Sequence, residues 1–225
     1  MLIREWMTQD VITVKVDTSM MKASKMLKEN NIRRLPVVDD QGKIIGIVTD
    51  RDIKEASPSK ATTLDVHELY YLLSEIKIKD IMTKNPFCVN VNGTVEKAAV
   101  VMREKKVEGL PVVDDDDKVV GIITETDIFN VMIDITGIYH GALQMGFKLP
   151  NTPGSLKAVL DDLRAYKARI ISILTSYDQS GPNTRHVYIR INDMDKSEEN
   201  QLQKVMGEKY DLMFWVRDTV RPTAL

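Results

Sequence analysis

The chain has 225 residues, of which 43% are hydrophobic and 28% charged, and its formal net charge is −2. That composition supports a sizeable core in one or two domains, and the charge gives no global attraction to nucleic acid or an anionic membrane. One cysteine, Cys88, excludes an intramolecular disulfide and a cysteine metal cluster.

Met1-Leu2-Ile3-Arg4-Glu5-Trp6 lacks the apolar run of a signal peptide. The longest apolar-looking stretch, around 131–147, is broken by Asp134 and His140 and falls short of the roughly 18–20 residues a membrane span requires. The expectation is a soluble, cytoplasmic protein.

Val11-Ile12-Thr13-Val14-Lys15-Val16 is a β-branched run that predicts a strand. Ser19 then precedes Met20, Ala23, Met26 and Leu27, the spacing of an apolar helix face behind a hydroxyl N-cap. Two strands follow, at about 35–39 and 43–49, joined by the turn Asp39-Asp40-Gln41-Gly42. A second helix starts after Thr49. Ser57-Pro58-Ser59-Lys60-Ala61-Thr62-Thr63 is a loop, and Asp65–Ile76 predicts an extra helix with a mostly apolar face.

The same phrase then returns. Leu35-Pro36-Val37-Val38-Asp39 recurs as Leu110-Pro111-Val112-Val113-Asp114, and Gly46-Ile47-Val48-Thr49-Asp50-Arg51-Asp52-Ile53 as Gly121-Ile122-Ile123-Thr124-Glu125-Thr126-Asp127-Ile128. Met7-Thr8 recurs as Met82-Thr83, Ser19 as Thr94 and Ala23 as Ala98, all at an offset of about 75 residues without a gap. Each repeat is β-α-β-β-α, too small to bury its own sheet face, so pairing of the copies supplies the missing surface.

Beyond residue 138 the pattern changes. A strand at 142–149, the turn Asn151-Thr152-Pro153-Gly154, a helix over Ser155–Tyr166, strands at 169–177 and 185–192, a helix over Glu198–Met206 and a strand at 212–216 give β-α-β-β-α-β, a ferredoxin-like order. The fold class is α+β. The expected division is repeat one at 1–56, a linker with the extra helix at 57–76, repeat two at 77–135, a small domain at 140–218 and a tail at 219–225.

Thr49-x-x-Asp52 and Thr124-x-x-Asp127 open the second helix of each repeat. Thr-x-x-acid is close to a capping box, which satisfies free backbone N–H groups. The same geometry offers a helix N-terminus to a phosphate and a carboxylate to a ribose diol. Spacing alone is compatible with both.

Met-Thr, the Leu-Pro-Val-Val-Asp strand and Gly-h-h-Thr-x-x-Asp (h apolar), in this order and twice, resemble a pair of CBS domains, the Bateman module, over residues 1 to about 135. The resemblance implies a pseudo-two-fold pair with two clefts that take adenosine-containing ligands such as AMP, ADP, ATP, S-adenosylmethionine or NAD-type molecules. It places Thr49 and Asp52 on the ribose in one cleft, Thr124 and Asp127 in the other, and the base between residues around Ile12, Thr13, Phe87 and Cys88. Before Leu-Pro, repeat one has Arg33-Arg34 and repeat two Glu108-Gly109. In relatives basic residues there contact phosphate, and a guanidinium fork suits that role. The expectation is a first cleft that prefers a phosphorylated nucleotide and a second that takes a less anionic ligand or none.

The C-terminal order, with Leu149-Pro150-Asn151-Thr152-Pro153-Gly154-Ser155-Leu156, resembles an ACT domain. That resemblance implies a dimerisation unit whose turn, at Asn151, Gly154 and Ser155, can line an amino-acid site. The family gives Asp more often than Asn at this point. A CBS pair followed by an ACT-like domain resembles the acetoin-utilisation protein B type.

No carboxylate or cysteine stands at metal-ligand spacing in sequence from His67, His140 or His186. The acidic run Asp114–Asp117 aligns with the turn of repeat one and lacks the glycine and distal glutamate of an EF-hand loop. No nucleophile elbow, Walker loop or zinc-protease signature occurs. The expected function is non-enzymatic: a homodimeric regulator that needs no cofactor and no metal, binds an adenosine-containing ligand, and transmits its state through the ACT-like domain to a dimer partner or another protein. Nucleic acid and membrane are not expected partners. An amino-acid-responsive regulator with structural CBS repeats is the alternative.

Overall fold

The computed structural model describes residues 1–57, 71, 73–177 and 181–220. The helix expected over Asp65–Ile76 falls mostly outside the described residues. The chain divides into two compact units, Met1–Ile128 and Phe129–Leu225.

In the first unit, β1 (Arg34–Val38) and β2 (Ile44–Thr49) form an antiparallel hairpin. Its counterpart is β5 (Gly109–Val113) with β6 (Val119–Thr124). Asp39 and Asp114, which end the repeated Leu-Pro-Val-Val-Asp phrase, organise the two turns. Asp39 Oδ1 accepts from the backbone N–H of Gln41 and Lys43, and Asp114 Oδ1 from Asp116 and Lys118. The turn closes on a left-handed residue, Gly42 (φ +82°) in one copy and Asp117 (φ +63°) in the other, and Gly and Asp are among the residues that tolerate that conformation. The acidic run is thus a turn, and among the described residues no group of three or more His, Cys, Asp or Glu could hold a metal ion.

Helices α1 (Met20–Glu29) and α4 (Val95–Lys105) begin behind Ser19 and Thr94, whose hydroxyls accept from the N–H of Lys22 and Lys97. Each buries one stripe, Met20, Ala23 and Leu27 or Val95, Ala98 and Met102, at the spacing of a helix face packed on a sheet. Helices α2 (Asp50–Ala56) and α5 (Glu125–Thr136) follow β2 and β6.

The expected strand over Val11–Val16 is not a strand. It shrinks to a parallel bridge between Val14 and Val37, with only Val14 of the run buried. In repeat two the equivalent β4 (Val89–Asn90) pairs parallel with β5.

The segments ahead of each repeat are exchanged. Strand β3 (Thr83–Lys84), which leads into repeat two, pairs with β2 of repeat one. Thr8, which leads into repeat one, bridges Ile122 of repeat two. Ile78, on the single-turn helix α3 (Ile78–Ile81), is fully buried in the core of repeat one beside Leu35, Val37 and Val48. The contacts are reciprocal at every level. Ser19 bridges Lys77 and Leu2 bridges Thr94, Ile78 N–H donates to Thr18 O and Ile3 N–H to Gly93 O, and Ile44 N–H donates to Asp117 O and Val119 N–H to Gly42 O. The same contact made in both directions is what a two-fold relation between the repeats requires.

In the second unit, β7 (Leu143–Pro150), α6 (Ser155–Ala165), β8 (Ile170–Tyr177), β9 (Thr184–Ile191), α7 (Lys196–Lys209) and β10 (Asp211–Arg217) follow in the expected order. The sheet is antiparallel throughout, in the order β10-β7-β9-β8. Strand alternation puts Leu143, Met145, Phe147 and Leu149 with Val187, Ile189 and Ile191 into a core closed by Val159, Leu163, Leu202 and Met206 of the helices. Glu199 of α7 is buried and accepts from Trp215 Nε1 and from Arg217.

Candidate functional site

Two clefts open in the first unit, one beside each Thr-x-x-Asp. At the first, the N–H and hydroxyl of Thr49 both donate to Asp52 Oδ2 (2.7 and 2.8 Å), and Asp52 N–H donates to Thr49 Oγ1 (3.3 Å). The second repeats the two bonds to the carboxylate: the N–H and hydroxyl of Thr124 donate to Asp127 Oδ2 (2.7 and 2.8 Å). Both aspartates are therefore helix caps. The caps use Oδ2, and among the described residues nothing donates to Oδ1 of either carboxylate.

The first cleft, of about 330 Å³, runs from Thr49, Asp50, Arg51 and Asp52 to Asn85, Pro86, Phe87, Lys106, Val107, Glu108 and Gly109. The second, of about 520 Å³, runs from Thr124, Glu125 and Thr126 to Asp10, Val11, Ile12, Ile32, Arg33 and Arg34. Both volumes suit a small-molecule ligand. Each cleft takes its Thr from one repeat and its opposite wall from the other.

That exchange corrects the expected pairing of charges. Arg33 does not share a cleft with Thr49 and Asp52; it lines the Thr124 cleft, with Ile12. Glu108 and Gly109 face Thr49. Phe87 belongs to the first cleft, 51% exposed, with Lys105 Nζ 5.0 Å from its ring centroid. Three expected residues fall outside the lining. Thr13 and Cys88 line neither cleft, and Asp127 caps Thr124 without lining the second. Cys88 Sγ turns to Pro86 O; burial and the charge of Asp117 push its thiol up to about 11, so it is not a thiolate near neutrality.

Among the residues missed from sequence are Asn85, Pro86, Lys106 and Val107 in the first cleft and Asp10 and Ile32 in the second. A signal for them existed. Asp10 and Asn85, like Ile32 and Val107, stand at equivalent positions of the repeat.

Arg34 alone of the two arginines reaches both clefts. Its side chain is 12% exposed, and Nη2 pairs with Glu108 Oε2 at 3.1 Å. Burial pulls its pKa down while Glu108 pulls it up, with a net lowering. Asp50, at the first cleft, is held below the usual carboxylate range chiefly by its hydrogen bond from Lys54 (2.8 Å).

In the second unit the expected amino-acid residues are used by the turn itself. Asn151 donates from its backbone to Asn183 O and from Nδ2 to Pro182 O. Gly154 caps α6 in the left-handed region (φ +91°), and Ser155 Oγ donates to Thr152 O.

A family model described as CBS domain matches residues 3–59 and 78–134. A CBS domain-containing protein of Dictyostelium discoideum is 34% identical over 134 residues, covering 60% of this chain and 92% of that protein. Inosine-5'-monophosphate dehydrogenase of Methanocaldococcus jannaschii is 36% identical over 124 residues, which are 55% of this chain but 22% of the enzyme. Among solved structures, CBSX2 in complex with AMP is 34% identical with a TM-score of 0.50, covering 60% of this chain and 98% of that one. A putative acetoin utilization protein (AcuB) from Vibrio cholerae is 26% identical with a TM-score of 0.51, covering 61% of this chain and 94% of that one. No helix among the described residues is long and apolar enough to cross a membrane. Two matched segments, two capped clefts and a reciprocal pairing agree: the chain belongs to the CBS-domain family, with a tandem pair of the domain over residues 3–59 and 78–134.

Proposed function

We propose that the protein is a non-enzymatic regulatory sensor of adenosine-containing ligands, AMP first among them. The observation that carries this is the first cleft. There the Thr49–Asp52 cap leaves Asp52 Oδ1 without a donor among the described residues at one wall, and Phe87, Pro86 and Val107 offer an apolar wall opposite. A ribose diol can donate to Oδ1 while the base lies against Phe87, a stacking contact worth about 1–3 kcal/mol. The AMP complex of CBSX2 supports the ligand class.

The ligand would bridge the repeats, and any difference in its affinity for two arrangements of them shifts their populations. The β-α-β-β-α-β unit, read as a ferredoxin-like ACT domain, would pass that shift to a second copy or a protein partner. Membership of the acetoin-utilisation B type belongs to the same proposal and draws on the V. cholerae neighbour. The hydrogen bonds that hold Asn151 and Ser155 in their turn lend no support to an amino-acid site there.

Calorimetric titration with AMP, ADP, ATP, S-adenosylmethionine and NAD tests the proposal, repeated with Asp52→Ala and Asp127→Ala. Micromolar binding lost with one aspartate supports it and names the cleft. Binding of none of the five leaves both Thr-x-x-Asp pairs as caps alone and ends the sensor reading.

A further inference from the structure

Arg34 and Gly109 are equivalent residues of the two repeats, and they meet. A Cβ added to Gly109 would lie 1.9 Å from Nη1 of Arg34 and 3.0 Å from its Cζ. One position must be small for the other to carry a guanidinium, so the pair of clefts holds one cation at this boundary and not two. Glu108, equivalent to Arg33, likewise lines both clefts and is the carboxylate that pairs with Arg34.

The other charges differ little in balance between the clefts. The first has Lys106 and Arg51 against Asp50 and Asp52, and the second has Arg33 against Asp10 and Glu125. The shared pair decides between them. Arg34 Nη1 is buried with no hydrogen-bond partner among the described residues, while Nη2 is engaged by Glu108. A guanidinium carries five donors in a fixed fork, and a phosphate engages more of them than one carboxylate oxygen does.

Resting on the nucleotide reading above, we infer that Arg34 is a phosphate-binding cation shared by the two clefts, so that an anionic nucleotide in either one weakens binding of a second anion in the other. A phosphate in one cleft draws the guanidinium from Glu108. The opposite cleft then loses the shared cation and keeps a 54% exposed carboxylate, which repels a second phosphate. Ligands without phosphate, such as adenosine, leave the ion pair in place and fill the clefts independently.

The test compares stepwise binding constants. Asp52→Ala disables the first cleft directly and Asp127→Ala the second by releasing Thr124, which lines it, and each gives the intrinsic AMP affinity of the other cleft. In the parent chain the second AMP is expected to bind about 5–150-fold more weakly than that intrinsic value, the usual range of coupling between sites, whereas adenosine shows no such penalty. Arg34→Met should abolish the penalty for AMP. Parent constants for AMP equal to the intrinsic ones, or an equal penalty for adenosine, overturn the shared cation and leave the sensor reading intact. Absence of both AMP and adenosine binding overturns both. The AMP-to-adenosine comparison in the parent chain decides the matter even where Arg34→Met does not fold.

Discussion

Met82 Sδ stands where a side chain on Gly46 would be. A Cβ built on Gly46 lies 2.5 Å from that sulfur, and the equivalent pair, Gly121 and Met7 Sδ, repeats the distance. The glycine of the repeated phrase is thus the seat of the exchanged Met-Thr segment from the other copy. Gly46→Ala and Gly121→Ala should both destabilise through overpacking, by about 1–3 kcal/mol. Gly121→Ala should cost more. Its Cβ also meets the backbone oxygen of Thr8 at 2.8 Å, whereas at Gly46 the nearest backbone atom, Thr83 O, is 3.2 Å away. A methionine tip can turn aside and a bridged backbone cannot. Urea midpoints of the two variants check the order, and equal losses would remove the argument.

Asp52 combines a cap with the proposed ribose contact, and two substitutions separate them. Asp52→Ala removes the acceptor of the Thr49 N–H and hydroxyl and should cost about 0.5–2 kcal/mol of unfolding free energy without any ligand. Asp52→Asn keeps a carbonyl acceptor for the cap, so most of that stability should return. A neutral amide is a weaker acceptor for a diol than a carboxylate, so AMP affinity should stay reduced. Denaturation and AMP titration on both variants read the two effects independently.

The repeat and its secondary structure were legible because their causes are local. Ser19, Thr94, Thr49 and Thr124 announce helices, and the Asp39 and Asp114 turns announce hairpins. What sequence could not supply is which copy a segment joins. Met7-Thr8 and Met82-Thr83 read equally well beside either sheet, since two bridging residues carry no register of their own and only the packing of Met7 over Gly121 and Met82 over Gly46 assigns them. The exchange also moved Arg33 to the cleft of Thr124. The strands expected to present Thr13 and Cys88 are a single bridge at Val14 and two residues at Val89–Asn90. In the second unit the alternation of β7 and β9 made the strands plain, but the buried Glu199 was invisible. A glutamate on a helix reads as solvated until its partners, Trp215 and Arg217, are seen on a strand beside it.

Glu199 gives the second unit an acid-sensitive contact. Burial alone raises its pKa, but hydrogen bonds from Arg217, Trp215 and Lys196 outweigh burial and hold the group below the usual carboxylate value. A carboxyl depressed in the folded state contributes stability above its unfolded pKa, near 4.5, and loses it as pH falls through the folded value. As pH falls below about 4.5 the parent chain should lose stability as this group takes up a proton. Glu199→Gln should be less stable at pH 7 by about 1–3 kcal/mol, the cost of unsatisfied partners of a buried group, and should show a shallower acid limb. Urea unfolding from neutral pH into that acid range checks both, and parallel limbs would assign the acid sensitivity elsewhere.

Gly109→Ala probes the boundary between the clefts without touching a charge. The new methyl would occupy the site of Arg34 Nη1, 1.9 Å away, and the strand backbone beneath it, paired Gly109 to Thr124, has no freedom to retreat. The guanidinium must leave, and its pair with Glu108 goes with it. Because Arg34 lines both clefts, AMP affinity should fall in both, by about tenfold or more if one charge-assisted hydrogen bond is lost. Adenosine affinity should be unchanged, since no part of that ligand needs the cation. A variant that binds AMP as the parent does would show that the guanidinium contributes nothing to phosphate recognition. One that loses adenosine as well would show that the methyl closes the clefts themselves.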